Sequence, residues 1–506
     1  MYKGHIMSDY DVIVIGAGCG GLSSGALLAH QGRRVLLLEQ SSRIGGCCST
    51  FEQQGYKIDL GASIIEFPQV IDWCFKRMGT SFEKEVDLIP VDPTFSAILH
   101  DGTSVTYPIS LEETKREIEK FAPEDVKGWE KYSKKIEGFL DAALDGFFVT
   151  PANNLTDVIK LFAKTPALLK YNSLFFSSYE GVMRKYFKNE KLLESFSFHS
   201  FYAGLPPALL PGHYAMIPYA EHKGIYYSKG GMIGIPKGFQ SCGEKAGMIV
   251  QVNAPVEKIL IENKRVKGVL LEDGTEITAN IVVSNINSKK MYFDLIGEEY
   301  LPWLAKVGLK SYVYSMATPM LYLCLDYAPP LKDHHTLMTL PMGKTNDYWN
   351  NHYLKGSFPQ EQFGILSWTT KSDPSLAPKG HHIIAVTLAP GVYNLKGTTW
   401  DAEKPHLKER IIKFLADRYL PGLEEHIVLA ELSTPVDFEK RLRSPEGAIY
   451  ALRQDLPHSM MFRPSARSRH IKGLYLTGAS THPGGGVPTV TASGMIAADL
   501  IEKYEQ

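Results

Sequence analysis

The sequence predicts an α/β fold in which a Rossmann-type dinucleotide-binding domain is intertwined with a second, α+β domain. Three observations carry this. The stretch Asp11-Val-Ile-Val-Ile-Gly16-Ala17-Gly18-Cys19-Gly20-Gly21 sets a short apolar run directly before a G-x-G-x-x-G turn. A second apolar run, Arg34-Val-Leu-Leu-Leu38, ends at an acidic residue, Glu39, at the distance a ribose reader needs. At 506 residues the chain also exceeds what one ordinary core organises.

The elements follow in order. Val12 to Ile15 suit a buried parallel strand, and a helix is expected from about Leu22 to Gln31. Gly16 allows the sharp turn, Ala17 and Gly20 complete the loop, and Gly18 lets backbone amides approach a pyrophosphate seated on the helix N-terminus. Gly21 lets that helix pack closely on the strand. Glu39 can accept both ribose hydroxyls of an adenosine half. By itself the motif leaves NAD and FAD open.

Further along, Glu39-Gln40-Ser-Ser-Arg43-Ile-Gly45-Gly46 and then Asp59-Leu-Gly61-Ala62-Ser63 resemble the segment that flavoproteins of the amine oxidase and phytoene desaturase superfamily place after the second strand. Near the other end, Thr477-Gly478-Ala479-Ser480-Thr481-His482-Pro483-Gly484-Gly485-Gly486-Val487-Pro488-Thr489 resembles the closing flavin motif of bacterial-type phytoene desaturases, with a helix over 488–503. Between them, a meander from Val250 through Val256 and the Asp273-Gly274 turn to Ser284-Asn285 resembles the adenine-side segment. The resemblance implies FAD as cofactor. It implies paired glycines Gly45 and Gly46 near the cofactor, Gly61, Ala62 and Ser63 near the isoalloxazine, and Val256 and Asn285 on the adenine side. Gly478, Ala479, Val487, Pro488 and Thr489 then close the site, the helix N-terminus facing the flavin pyrimidine edge. Gly230-Gly231-Met-Ile-Gly234 is similar to the family's glycine pair before a helix near the substrate entrance.

The expected organisation is a discontinuous FAD-binding domain of residues 9–90, 225–294 and 455–506. Residues 91–224 and 295–454 form a substrate domain, with a hairpin around Asp101-Gly102, mainly helical sequence from about 110 to 220, and strands at Met320 to Leu325, Phe363 to Trp368 and Ile383 to Ala389. Within it, 155–220 combines Leu161-Phe162, Leu168-Leu169, Leu174-Phe-Phe176 and Phe196-Ser-Phe198 with Lys160, Lys164, Lys170, Arg184, Lys185 and Lys188. An apolar face edged by lysines suits either a helix lying in a lipid interface or the wall of a core or tunnel.

A net charge of −1, with 44% hydrophobic and 22% charged residues, describes an ordinary globular protein and argues against nucleic acid as a partner. The six cysteines, Cys19, Cys47, Cys48, Cys74, Cys242 and Cys324, show no zinc spacing, and no metal is expected. They fit a reduced, cytoplasmic setting. Cys47-Cys48 reads either as a redox pair at the flavin or as small buried hydrophobes. The N-terminus lacks the apolar core of a signal peptide, and no run reaches the ~18 apolar residues of a membrane span. The expectation is a cytoplasmic protein, peripheral on the membrane.

The resemblance implies an FAD-dependent oxidoreductase acting on carbon–carbon bonds of a long apolar isoprenoid or carotenoid, with desaturation of a phytoene-like polyene as the leading reading. The Gly45-Gly46-Cys47-Cys48-Ser-Thr50-Phe51 string is similar instead to retinol saturases and carotenoid isomerases, so saturation and isomerisation stay open. A flavin amine oxidase is a more distant alternative, for which Tyr214 or Tyr450 could face the flavin. One dinucleotide motif implies an external electron acceptor or donor: a quinone, O2 or a reductant. Catalytic residues are not identifiable, His482 being the best polar candidate. His199 and His213 are expected as satisfied core histidines, while Arg441, Arg463 and Arg467 fit tunnel, flavin or surface roles.

Overall fold

Val12, Val14, Val35 and Leu37 are buried on one face of a sheet, and Ile13, Ile15, Leu36 and Leu38 are buried on the other, in separate apolar clusters. Two covered faces are what continuous apolar runs demand, and they fix these strands in the middle of a parallel sheet. The structure, a computed structural model, describes residues 8–144, 146–359 and 361–506. The stretch in which a signal-peptide core was sought begins outside these described residues.

The first sheet is seven-stranded. Its order runs Val256–Glu262, Arg265–Leu271, Glu276–Ser284, Tyr10–Ile15, Val35–Leu38 and Ile249–Gln251, with Leu474–Leu476 also paired to Glu276–Ser284. Tyr10–Ile15 lies parallel to both neighbours, Ile13 opposite Leu36 and Val282. Ile249–Gln251 does not belong to the meander expected from Val250 onward. It pairs parallel with Val35–Leu38, and the antiparallel meander starts at Val256.

The first helix spans Cys19–His30, three residues earlier than expected at its start, with Gly18 in extended conformation as N-cap. Gly20 and Gly21 therefore lie inside the first turn. Neither position has room for a side chain: a Cβ on Gly21 would sit 2.0 Å from the Gly16 carbonyl oxygen, and one on Gly20 would sit 2.9 Å from the Gly478 amide nitrogen. This helix packs against Gly234–Lys245 and against the C-terminal helix Val487–Tyr504. At the latter crossing a Cβ on Gly494 would meet Ser23 Oγ at 2.1 Å, so the two helices approach backbone to backbone.

A second seven-stranded sheet orders Ile427–Ser433, Met320–Leu325, His382–Leu388, Gly364–Trp368, His335–Met338, Phe95–Ile98 and Ser104–Tyr107. Its pairs are antiparallel except His335–Met338 with Phe95–Ile98. The helical block carries Leu111–Phe121, Val126–Leu144, Leu155–Lys164 and Tyr179–Tyr186, with the shorter helical pieces Pro166–Tyr171 and Asn172–Phe175 between the last two. Val126–Leu144 buries Trp129, Tyr132, Ile136, Phe139 and Leu140 on one side, the spacing of an amphipathic helix. Gly231 backs onto Asp59 and Thr50, where a Cβ would meet either side-chain oxygen at 2.8 Å. Gly231 thus sits at a packed junction, whereas Gly230 beside it faces open space.

Replacing Gly494 with leucine should force the two helices apart and lower unfolding free energy by about 1–3 kcal/mol, read from urea titration of the purified protein. An unchanged midpoint would show that the crossing tolerates a side chain.

Candidate functional site

The ends of the parallel strands and the N-termini of two helices open onto one cavity of about 550 Å³. Eighteen of the residues singled out from the sequence line it: Gly16, Gly18, Gly20, Glu39, Gln40, Arg43, Gly45, Gly46, Gly61, Ala62, Ser63, Val256, Asn285, Gly478, Ala479, Val487, Pro488 and Thr489. They come from distant parts of the chain because the strand Tyr10–Ile15 has Glu276–Ser284 on one side and Val35–Leu38 on the other. Of the residues expected to hold the cofactor, only Ala17 and Gly21 do not line the cavity. The Ala17 amide donates to Glu39 Oε2 at 2.8 Å, and Gly21 packs on the Gly16 carbonyl.

Glu39 is held at both oxygens, Oε2 by Ala17 and Oε1 by the Ser41 amide and hydroxyl, each at 2.9 Å. A carboxylate oxygen has two lone pairs, so the fixed group keeps acceptor capacity toward the cavity. Gly18 has no room for a side chain, since a Cβ would lie 2.8 Å from Asn285 Nδ2. Gly16, at φ +97°, adopts a conformation that favours glycine. The two helix N-termini, at Cys19 and at Val487, supply unpaired backbone amides and positive dipole ends at a crevice that accepts phosphate or anionic groups.

Beyond this crevice the cavity becomes apolar and aromatic, walled by Phe67, Phe148, Phe198, Phe201, Tyr202, Met216, Ile217, Met316 and Met320. Tyr214 and Tyr450 line it as well. The junction is marked by Ser63. Its hydroxyl lies 3.1 Å from both His335 Nε2 and Ser367 Oγ, and its carbonyl lies 3.3 Å from His334 Nε2. Burial, reinforced by His334, holds the His335 pKa well below the ordinary histidine range, so this imidazole is neutral. Sequence reasoning missed His335 as a cavity residue, because only the fold brings the strand at 335 to the loop at 63.

Asp59 stands just before this loop, fully enclosed. Thr50 Oγ1, Tyr227 Oη and the Met232 amide donate to it, yet burial wins and pushes it up to about 6. Cys47 and Cys48 both line the cavity, Cys48 being the more deeply buried. Burial raises the Cys47 thiol, and contact with the Cys19 thiol together with burial raises Cys48 well above the ordinary range. Thiols held protonated are poor nucleophiles.

His482 is buried, with Nε2 3.0 Å from the Phe147 carbonyl oxygen and its ring against Phe147; burial pulls its pKa down to about 4. It does not line the cavity. Arg441 does, and it donates to the Leu60 carbonyl at 3.0 Å. Arg463 is buried behind the Ala479 carbonyl, to which it donates, while Arg467 stacks on Tyr504. His199 departs from expectation: it is buried, but neither ring nitrogen has a hydrogen-bond partner. Among the described residues no cluster of side chains suited to a metal ion is found.

Residues 19–502 match the family described as flavin containing amine oxidoreductase. The chain belongs to this family. It is 31% identical over 498 residues to the lycopene-forming phytoene desaturase of Pseudescherichia vulneris, covering 97% of this chain and 98% of the relative. Similarity to the neurosporene-forming phytoene desaturase of Rhodobacter capsulatus is 30% over 498 residues, covering 97% and 93%. Among solved structures, an oxidoreductase from Methanosarcina mazei superposes with a TM-score of 0.64 at 17% identity, covering 97% of this chain and 100% of the other. A putrescine oxidase bound to putrescine gives 0.62 at 16%, covering 97% and 99%. These structures share the fold. The protein is an FAD-dependent oxidoreductase of the carotenoid desaturase branch, and the fixed carboxylate, side-chain-free loop and paired helix ends of its crevice fit that cofactor.

Gly18 replaced by leucine should yield folded protein that purifies without a flavin spectrum; a full spectrum would overturn the placement of the dinucleotide at this loop. Asp59 has a folded pKa above its unfolded value near 3.8, so the stability it adds is complete below that value and lost as pH rises through about 6. Thermal melting from pH 4 to 8 should show this loss in the wild type and not in Asp59→Asn.

Proposed function

We propose that the protein desaturates a long, apolar isoprenoid of the phytoene class. The observation that carries the reading is one continuous cavity whose polar end has the make-up of a dinucleotide crevice and whose other end is aromatic and aliphatic. The relatives named phytoene desaturase, similar over nearly the whole chain, support the same substrate class. FAD held in this crevice would supply a two-electron acceptor for the hydride of an allylic carbon, the proton of the neighbouring carbon being lost in the same desaturation.

In this reading Glu39 accepts the ribose hydroxyls, the amides from Gly18 to Gly20 at the N-terminus of the helix at Cys19 take the pyrophosphate, and Val256 with Asn285 borders the adenosine half. Gly45, Gly46, Gly61, Ala62 and Ser63 would seat the isoalloxazine, and the positive end of the helix starting at Val487 would favour the negative charge of a reduced flavin. His335 and Ser367 fix the Ser63 hydroxyl. The remaining wall orients the substrate by apolar contact, worth about 25 cal/mol per Å², and excludes water from the reacting carbons. Electrons leave to an external acceptor, a quinone or O2.

Such a substrate resides in lipid, and we place the enzyme peripherally on a membrane. No helix among the described residues is long and apolar enough to cross one. The block at 155–220 divides its apolar residues: Leu161, Leu168 and Leu174 are buried, whereas Leu155, Ile159 and Leu169 are about 60% exposed and Phe176 is 86% exposed. Lys160, Lys164 and Lys170 edge this outward set, the pattern of an interfacial surface.

Anaerobic incubation with phytoene in liposomes should bleach the flavin and give a product lighter by two hydrogens. Turnover only after prior reduction, with hydrogen gained or only geometry changed, would assign saturation or isomerisation instead. Glutamate at Leu155, Ile159 and Phe176 should move the protein from the liposome pellet to the supernatant, and unchanged partition would overturn the membrane assignment.

A further inference from the structure

In the apolar part of the cavity wall stands a carboxyl group, that of Glu66, in the run Ile64-Ile65-Glu66-Phe67. Its Oε1 is shut off from bulk water and has no hydrogen-bond partner. Tyr202 lines the same wall, and its hydroxyl is likewise enclosed and unpartnered. Behind them Glu221 and His199 are buried, Glu221 Oε2 lying 3.6 Å from His199 Nε2 without a hydrogen bond. Leaving a buried polar atom unsatisfied costs about 1–3 kcal/mol, so a wall built only to grip hydrocarbon would not carry these groups.

We propose that Glu66 and Tyr202 form a subsite for a hydroxyl group on the isoprenoid substrate. The inference rests on the isoprenoid reading above and deepens it: the preferred substrate is an oxygenated polyene, its hydroxyl held beside Glu66 and its chain running along the aromatic wall. The charge state suits that group. Burial, with the negative field of Glu221 added, raises the Glu66 carboxyl well above the ordinary range, and burial raises Tyr202 as well, while burial holds His199 neutral, near 3. A protonated carboxyl and a phenol each donate and accept, as an alcohol does. The ionisable groups near Glu66 do not favour its ionisation, and its Oε1 stays unpartnered: Glu221 is a like group, and Tyr450 is a phenol whose own ionisation Glu66 opposes.

The test compares geranylgeraniol with the same chain lacking its hydroxyl, and with putrescine, binding to the FAD-loaded full chain in detergent micelles by quenching of flavin fluorescence. The alcohol should bind about tenfold to a hundredfold more tightly than the hydrocarbon. Glu66→Leu should remove that preference by weakening the alcohol alone, Tyr202→Phe should reduce it, and Glu66→Gln, which keeps a donor and an acceptor, should retain most of it. Flavin content and melting establish that each variant is folded. Equal affinity for alcohol and hydrocarbon in the wild type would overturn the subsite while leaving the isoprenoid reading standing, as would equal loss of both in Glu66→Leu. Tight binding of putrescine with neither chain bound would overturn the isoprenoid reading and the subsite together.

Discussion

The structure depends on a close approach that only glycine permits. The turn at Gly16 to Gly21, the strand end at Asn285 and the loop at Gly478 meet so tightly that a Cβ on Gly18, Gly20 or Gly478 would fall 2.4–2.8 Å from an atom of the Asn285 side chain. Asn285 itself reaches the Gly16 carbonyl, and the Asn285 amide pairs with the Ile15 carbonyl. This knot draws three remote stretches of chain to one point and leaves backbone amides facing outward. The crevice exists because nothing larger than hydrogen occupies its floor.

From that point the cavity changes character along its length. At the crevice end, anchored polar groups and helix dipoles present fixed partial charges that need no rearrangement to meet an anionic cofactor. At the other end, Phe, Tyr and Met side chains give a low-dielectric wall in which any ionisable group is driven to its neutral form. His335, Glu66, Tyr202 and the enclosed thiols all follow this rule. Their neutrality has one cause, removal from water, and it sets what the site can do: hydrogen-bond and orient substrate instead of supplying free charge.

The outer face of the helical block follows a different economy. Leu161 and its buried neighbours stabilise the fold, while Leu155 and Ile159, on the same helix as Leu161, and Phe176, just past the short helix Asn172–Phe175, are exposed. The sequence pattern of apolar residues among lysines reads as core or as lipid interface, and both descriptions apply, on opposite sides.

The strands at 10, 35, 320, 364 and 382, the glycine turn, Glu39 and the closing helix at 487 were all legible, because each depends on a local rule: apolar runs, glycine spacing or capping. Errors arose where partners outside the window decided. Helix Cys19–His30 takes Gly20 and Gly21 into its first turn, where Gly478 and Gly16 leave no room for a side chain, and Ile249–Gln251 joins the parallel sheet by pairing with Val35–Leu38. The sequence by itself determined the fold class and the make-up of the crevice, since strand, turn and acidic residue are contiguous. Only the tertiary structure decided that Ser63 meets His335 and Ser367, that His199 lacks a partner, and that Glu66 faces the cavity. Those facts depend on which elements bury one another's polar atoms, and desolvation is a property of the packed molecule.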